Sequence, residues 1–186
     1  MRISELTERL ESSPVIAAIR DNKWQAALSS PSEVLFYLEP HLSTIREKVT
    51  QAHEAEKMLF VHLDMAEGIG KDKEGVQFLA DCGVDGIIST RSQIIRFAKD
   101  ANLLTVQRFF VLDSQGLDSI QEMLKSSHPH FMEIMPGTIP KVIQRFAAGQ
   151  TLVIAGGLIE TKAEITGALR GGAVAVSTGS EELWYL

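Results

Sequence analysis

The sequence has a single cysteine and no long apolar segment. Because Cys82 has no partner among the 186 residues, no disulfide can form within the chain, which fits a reducing compartment. The apolar runs fall well short of the roughly 20 residues that a membrane helix needs. The first residues, Met1–Leu6, lack the apolar core of a signal peptide. We therefore expect a cytoplasmic protein without a membrane-associated segment.

Positive charge is also scarce. The chain has 18 Lys and Arg residues against 24 Asp and Glu residues, which gives a net charge of -6 at pH 7. Averaged over the surface, this charge repels polyanions, so a contact with RNA or with a phosphate group needs a local feature. The 45% hydrophobic and 23% charged residues are typical of a globular protein. A length of 186 residues suits one core, and we predict a single domain over residues 1–186.

Short apolar runs recur along the chain, separated by segments with helical spacing. Within Thr90–Lys99, for example, Ile94, Ile95 and Ala98 form one apolar stripe. Uninterrupted apolar strands that alternate with helices indicate a parallel sheet, and eight such units close into a (β/α)₈ barrel. The eight runs begin at Pro14, Val34, Met58, Asp85, Leu103, Phe131, Thr151 and Ala173.

The chain is short for this fold, which usually takes about 250 residues. Little room for a helix remains after Arg20 and after Ser180. We therefore predict an α/β protein with a compact TIM-like barrel whose first and last helices are shortened. An open doubly wound sheet is the alternative.

Glycine-bearing turns follow the seventh and eighth runs. In barrels of this kind, ligands bind at the carboxyl ends of the strands, and the loops after strands 7 and 8 often hold a phosphate group. Glycine lets backbone N–H groups come within hydrogen-bond distance of phosphate oxygens, and hydroxyl groups add donors. Ordinary turn glycines are the alternative. The predicted phosphate site consists of Gly156, Gly157, Ser177, Thr178 and Gly179.

Two carboxylates lie at the ends of other strands. By the alternation of a strand, His62 and Asp64 share one face, as do Glu133 and Met135. A carboxylate inside a barrel is costly unless it is paired, which makes Asp64 and Glu133 site candidates. The alternative is a structural ion pair with an arginine.

The sequence offers no evident catalytic set. No further ligand accompanies His62 and Asp64 at a metal-binding spacing, so we expect no metal. Lys141 begins a helix and does not follow a strand, so a lysine for Schiff-base chemistry is missing. A barrel enzyme with Asp64 or Glu133 as general base, such as an isomerase or lyase of a small phosphorylated substrate, stays open as an alternative.

Four segments carry a resemblance to a known family. The chain resembles the glycerol-3-phosphate-responsive antiterminators, which regulate glycerol uptake operons in bacteria. The similarity runs from Val15 to Gly179, and the ordered set of segments is more specific than any one of them. These segments are Ile87–Arg91, Thr105–Ser114, Met132–Gly137 and Ala155–Ile159.

The resemblance implies a non-enzymatic barrel without a cofactor that binds glycerol 3-phosphate. When loaded, such a protein acts on leader mRNA and prevents early termination of transcription. The phosphate group would then lie on the two glycine loops. The glycerol hydroxyls would contact Asp64, Gln107 and Glu133.

The RNA surface and the oligomeric state are less defined by the sequence. No RNA-recognition, KH or cold-shock signature is present, and the best local basic cluster consists of Arg91, Arg96 and Lys99. A solvated helix face is the alternative for this cluster. The final residues Trp184–Leu186 either pack locally or meet a second subunit in a homodimer.

Overall fold

Parallel strands close into a barrel in the computed structural model, which describes residues 3–186. Pairing of β1 with β8, as in Val15 opposite Val176, completes the ring. The predicted barrel is confirmed, and the open sheet is wrong. Met1 and Arg2, which the predicted domain range includes, lie outside the described residues. The strands are β1 Val15–Ile19, β2 Val34–Tyr37, β3 Met58–His62, β4 Gly86–Ser89, β5 Leu104–Phe110, β6 Phe131–Met135, β7 Leu152–Gly156 and β8 Ala175–Thr178.

The helices surround this barrel, and the two that were predicted to be short are short. The helix after β1 spans only Trp24–Ser29, and β8 is followed by a single 3₁₀ segment, Glu181–Tyr185. None of the helices within residues 3–186 is long and apolar enough to cross a membrane. The helices are α1 Ile3–Ser12, α2 Trp24–Ser29, α3 Ile45–Glu54, α4 Lys73–Cys82, α5 Ser92–Asp100, α6 Ser114–Ser127, α7 Pro140–Ala147 and α8 Lys162–Arg170.

Local sequence explains where the helices that follow β5 and β7 begin. Asp113 caps α6 by accepting a hydrogen bond from the Gly116 amide at 2.8 Å. Thr161 and Glu164 form a reciprocal capping box at the start of α8. Each cap satisfies amide groups that have no partner within the helix, which fixes where the helix begins.

Side chains fill the barrel interior in layers of four from alternate strands, and their polarity changes along the barrel axis. The strand register defines these layers. A lower layer is wholly apolar and consists of Ile16, Phe60, Val106 and Ile154. The next layer towards the carboxyl ends of the strands consists of Phe36, Ile88, Glu133 and Ser177. The layer above it consists of Ala18, His62, Arg108 and Gly156.

Helix α1, which the sequence patterns did not predict, closes the amino-terminal end of the barrel. Its Leu6 and Leu10 are buried in the same apolar cluster as Ile16 and Phe60 of the interior. Burying a leucine side chain contributes about 1.5–3 kcal/mol, so this helix seals the end with a stable contact. The polar layers therefore lie at the opposite, carboxyl-terminal end.

Candidate functional site

A cavity of about 590 Å³ opens at the carboxyl-terminal end of the barrel. The structure brings the loops after β7 and β8 together on one side of it, as the sequence predicts. Residues of β1, β5 and β6 complete the wall. The lining consists of Ala18, Arg20, Leu38, Arg108, Met135 and the ranges 157–160 and 177–180.

Gly156 and Gly157, where β7 leads into the first of these loops, are glycines for different reasons. Gly157 has a φ of +74°, a left-handed conformation that favours glycine. Gly156 ends β7 within the barrel, and a Cβ there would overlap the Glu133 carboxylate and the Ser177 hydroxyl. Gly156 thus makes space for a buried polar cluster, whereas the sequence analysis assigned it to backbone access for a phosphate group.

The two loops carry backbone donors without protein acceptors. Within residues 3–186, the amides of Gly157, Leu158, Ile159 and Gly179 donate no hydrogen bond to another protein group. All four residues line the cavity. Amide groups gathered at turns of this kind form anion-binding concavities. The geometry of this wall is therefore suited to a phosphate or a carboxylate.

The hydroxyl of Thr178 joins the two loops. It donates to the carbonyl oxygen of Ile159 at 2.7 Å and accepts from the amide of Ser180 at 3.1 Å. The carbonyl oxygen of Thr178 accepts from the indole Nε1 of Trp184 at 2.8 Å. Thr178 therefore joins the backbone of the two loops that form the predicted phosphate site, and both bonds occupy its hydroxyl. Trp184 is buried in this chain, so local packing accounts for it.

Arg108 supplies a positive charge to the cavity. Its Nε donates to Glu133 Oε2 at 2.6 Å, while the other carboxylate oxygen, Oε1, accepts from Ser177 Oγ at 2.5 Å. Among the described residues, the two terminal guanidinium nitrogens of Arg108 have no acceptor. A guanidinium that a buried carboxylate holds in one orientation is well placed to bind an anion.

The sequence analysis missed Arg108 as a site residue, although a signal for it was present. Along β5, Leu104 and Val106 belong to the interior cluster, so alternation places Arg108 inside the barrel. Gln107 falls on the opposite face of β5. Its amide contacts Ser92 and Ser127 in the helix layer, and Gln107 does not line the cavity. The predicted contact of Gln107 with a polyol does not fit this position.

Glu133 lies beneath the cavity and is fully buried. Both of its oxygens are occupied, one by Arg108 and one by Ser177. The structural pairing with an arginine, which the sequence analysis kept as an alternative to polyol binding, is what the structure shows. Glu133 positions two groups that line the cavity.

Asp64 connects the ends of β3 and β4. Its Oδ1 accepts from Ser89 Oγ at 2.6 Å, and its Oδ2 accepts from the amide and the hydroxyl of Thr90 at 2.8 and 2.7 Å. Burial alone would raise the pKa of Asp64. The polar groups of His62, Ser89 and Thr90 outweigh this effect and hold the pKa well below its usual range. No cluster of three or more metal-ligating side chains occurs within residues 3–186.

The three basic residues predicted for RNA are spread along α5, and two of them contact the end of α6. Arg91 is exposed at the start of α5, near the carboxyl-terminal end of the barrel. Arg96 donates to Ser126 Oγ and Lys99 to the carbonyl oxygen of His128, both at the end of α6. Arg91 and Lys99 are separated by about 12 Å along the helix at 1.5 Å per residue. Arg96 and Lys99 instead fasten α5 to α6.

The fold and the cavity together define a (β/α)₈ barrel protein whose polar mouth lies at the carboxyl ends of its strands. The family model of the glycerol-3-phosphate responsive antiterminators matches residues 15–184. The chain belongs to this family. The resemblance found in the sequence is thus confirmed.

Similar proteins of known sequence or structure agree with this assignment. The uncharacterized protein YgcP of Escherichia coli K12 is 33% identical over 97% of this chain and 96% of its own length. A glycerol uptake operon antiterminator regulatory protein of Listeria monocytogenes is 32% identical, with a TM-score of 0.87, over 91% of this chain and 94% of that one. A glycerol uptake operon antiterminator-related protein of Thermotoga maritima is 29% identical, with a TM-score of 0.83, over 92% of this chain and 98% of that one.

Proposed function

We propose that this protein is a cytoplasmic transcription antiterminator that binds glycerol 3-phosphate and, when loaded, acts on the leader mRNA of glycerol-metabolism operons. The name of the family and the name of the Listeria relative support this proposal. The observation that carries it is the placement of Arg108 beside the two glycine loops, in a cavity large enough for a small phosphorylated molecule.

In the proposed complex, the phosphate group lies on the amides of Gly157, Leu158 and Gly179 and meets the guanidinium of Arg108. Backbone amides and a guanidinium are the donors that recognise phosphate oxygens in proteins. Ser177 bonds to Glu133 from beneath the site, so its hydroxyl reaches the ligand only if that bond is exchanged. The glycerol portion then extends over the barrel interior.

The state of the carboxylates favours a binding protein over the alternative of an isomerase or lyase. A general base works best when its pKa lies near the working pH. The pKa of Asp64 is held low by its hydrogen bonds, and both oxygens of Glu133 are occupied. None of the eight strands contains a lysine, so the nucleophile for Schiff-base chemistry is missing there.

Two measurements test the proposal. Calorimetric titration should show that glycerol 3-phosphate binds. The ligand should be recovered chemically unchanged after the titration. An electrophoretic shift with a glycerol-operon leader RNA, at fixed salt, should show tighter RNA binding in the presence of the ligand. Arg108→Gln should lose the ligand response. Arg145→Gln, which changes an exposed arginine paired with Asp118 on the outer surface, should keep it. Turnover of glycerol 3-phosphate without any change in RNA binding would instead favour the isomerase or lyase.

A further inference from the structure

A second arginine, Arg20, lies at the mouth of the cavity. It directly follows β1, and its extended backbone (φ -112°, ψ 178°) continues the alternation of that strand. Ile16 and Ala18 belong to the interior of the barrel, so alternation places Arg20 on the same face, above Ala18. Arg20 and Ala18 both line the cavity. Arg20 therefore belongs to the wall of the cavity in which we place the phosphate group.

Arg20 is held in the same way as Arg108. Its Nε donates to Glu39 Oε1 at 2.7 Å, and Glu39 follows β2, the strand next to β1. Its two terminal nitrogens donate to no other described residue. Likewise, Glu133 of β6 holds Arg108 of the neighbouring β5 through Nε. Each guanidinium therefore keeps a pair of terminal donors, and such a pair matches the two oxygens of a carboxylate.

The two arginines lie on opposite sides of the glycine loops. In the closed barrel, the order β5, β6, β7, β8 leads back to β1. The loops after β7 and β8 therefore lie between Arg108 and Arg20. The loop after β8 also contacts the segment after β1, because Lys23 Nζ donates to the carbonyl oxygen of Gly179 at 2.5 Å. A ligand whose phosphate group occupies these loops and Arg108 thus has Arg20 on its other side.

The charges in the lining favour a second anionic group. The lining contains two basic residues, Arg20 and Arg108, and one acidic residue, the exposed Glu160, although the whole chain has a net charge of -6. Glu39 and Glu133 offset part of the positive charge, but neither of them lines the cavity. The arginine of each pair, and not the glutamate, is therefore the residue that a ligand in the cavity meets.

We propose that Arg20 forms a second anion position in this cavity, and that the site therefore accepts phosphorylated hydroxy acids besides glycerol 3-phosphate. This inference rests on the proposed function, because the phosphate group occupies the same two loops. The carboxylate of such an acid accepts two hydrogen bonds from the terminal nitrogens of Arg20. Neighbouring strands lie about 4.8 Å apart, so a three-carbon chain can join the loop after β8 to the end of β1. The acid and glycerol 3-phosphate then compete for one site.

The test compares glycerol 3-phosphate with 3-phosphoglycerate, in which a carboxylate replaces the terminal hydroxymethyl group. Both are used as racemates, so that configuration does not distinguish them. Calorimetry measures their affinities, and that of inorganic phosphate, in the unmodified protein, Arg20→Gln and Arg20→Lys. Arg145→Gln is the matched control, because Arg145 is paired with Asp118 on the outer surface. Thermal unfolding verifies that each variant is folded.

We expect the unmodified protein and Arg145→Gln to bind 3-phosphoglycerate, and glycerol 3-phosphate to displace it. Arg20→Gln should weaken the binding of 3-phosphoglycerate by about tenfold or more, because the change removes hydrogen bonds to a charged group. The affinities of Arg20→Gln for glycerol 3-phosphate and inorganic phosphate should change much less. Arg20→Lys should recover part of the loss, since lysine keeps the charge but lacks the paired donors.

Three results would overturn the second anion position. These are no binding of 3-phosphoglycerate to the unmodified protein, unchanged binding of it to Arg20→Gln, and an equal loss of 3-phosphoglycerate and glycerol 3-phosphate in Arg20→Gln. Binding of 3-phosphoglycerate without binding of glycerol 3-phosphate would instead overturn the proposed function and leave the role of Arg20 intact.

Discussion

Replacement of Gly156 by alanine tests whether the buried polar cluster under the cavity determines the site. The added Cβ would overlap Glu133 Oε1 and Ser177 Oγ, and both atoms belong to the buried polar cluster beneath the cavity. Overpacking of this kind costs about 1–3 kcal/mol of folding free energy. Movement of the Glu133 carboxylate would also shift Arg108, whose Nε lies 2.6 Å from it.

The assay is urea denaturation of Gly156→Ala together with calorimetric titration of glycerol 3-phosphate. The matched control is Gly167→Ala in α8, where an added Cβ meets no atom within 4 Å. Because alanine is preferred to glycine inside a helix, this control should raise the free energy of unfolding by about 0.5–1 kcal/mol and leave binding unchanged. A Gly156→Ala protein with unchanged stability and ligand affinity would refute the reasoning about the cluster.

Three further predictions follow from the site. Arg108→Gln leaves Glu133 buried without its ionic partner and should lower the free energy of unfolding by about 3–5 kcal/mol. Urea denaturation should show that the double variant Arg108→Gln/Glu133→Gln is more stable than Arg108→Gln alone. Equal stability of the two variants would contradict the pairing of Arg108 with Glu133. Because the pKa of Asp64 is held below its usual range, its carboxylate stabilises the fold above about pH 4, and this contribution is lost as the pH falls further. In acid titrations followed by circular dichroism, Asp64→Asn should therefore lose less stability with falling pH than the unmodified protein does. An identical loss of stability in the two proteins would argue against the lowered pKa of Asp64. Glycerol 3-phosphate should slow hydrogen exchange in residues 157–160 and 177–180; unchanged exchange despite binding would contradict the proposed contacts.

The barrel could be predicted from the sequence because eight mainly apolar runs alternate with segments of helical spacing, some of which begin with a capping residue. Asp113 and Thr161 indicate the helix starts directly, since their side chains accept hydrogen bonds from nearby amides. Helix α1 was missed, because it lies outside the repeating strand and helix units. Its Leu6 and Leu10 have partners only in the interior of the closed barrel, so their role depends on tertiary structure.

The site was harder to predict than the fold. The two glycine loops were located correctly, because their order along the chain gives their position in a closed barrel. Within β5, however, the choice of Gln107 over Arg108 placed the wrong face of the strand in the cavity. Alternation could have corrected this choice, whereas the bonds that occupy Glu133 and Asp64 depend on residues 25 to 44 positions away. Such pairs become visible only in three dimensions.

The bonds of Thr178 join the two loops of the predicted phosphate site. Its hydroxyl spans from the loop after β7 to the loop after β8, and Trp184 ties its carbonyl oxygen to the last 3₁₀ segment. The neighbouring Leu158 is held at a φ of +59° and is 67% exposed. A non-glycine residue keeps such a conformation only where its surroundings impose it. Because the loops are already joined, the proposed binding of an anion would have little ordering cost to overcome.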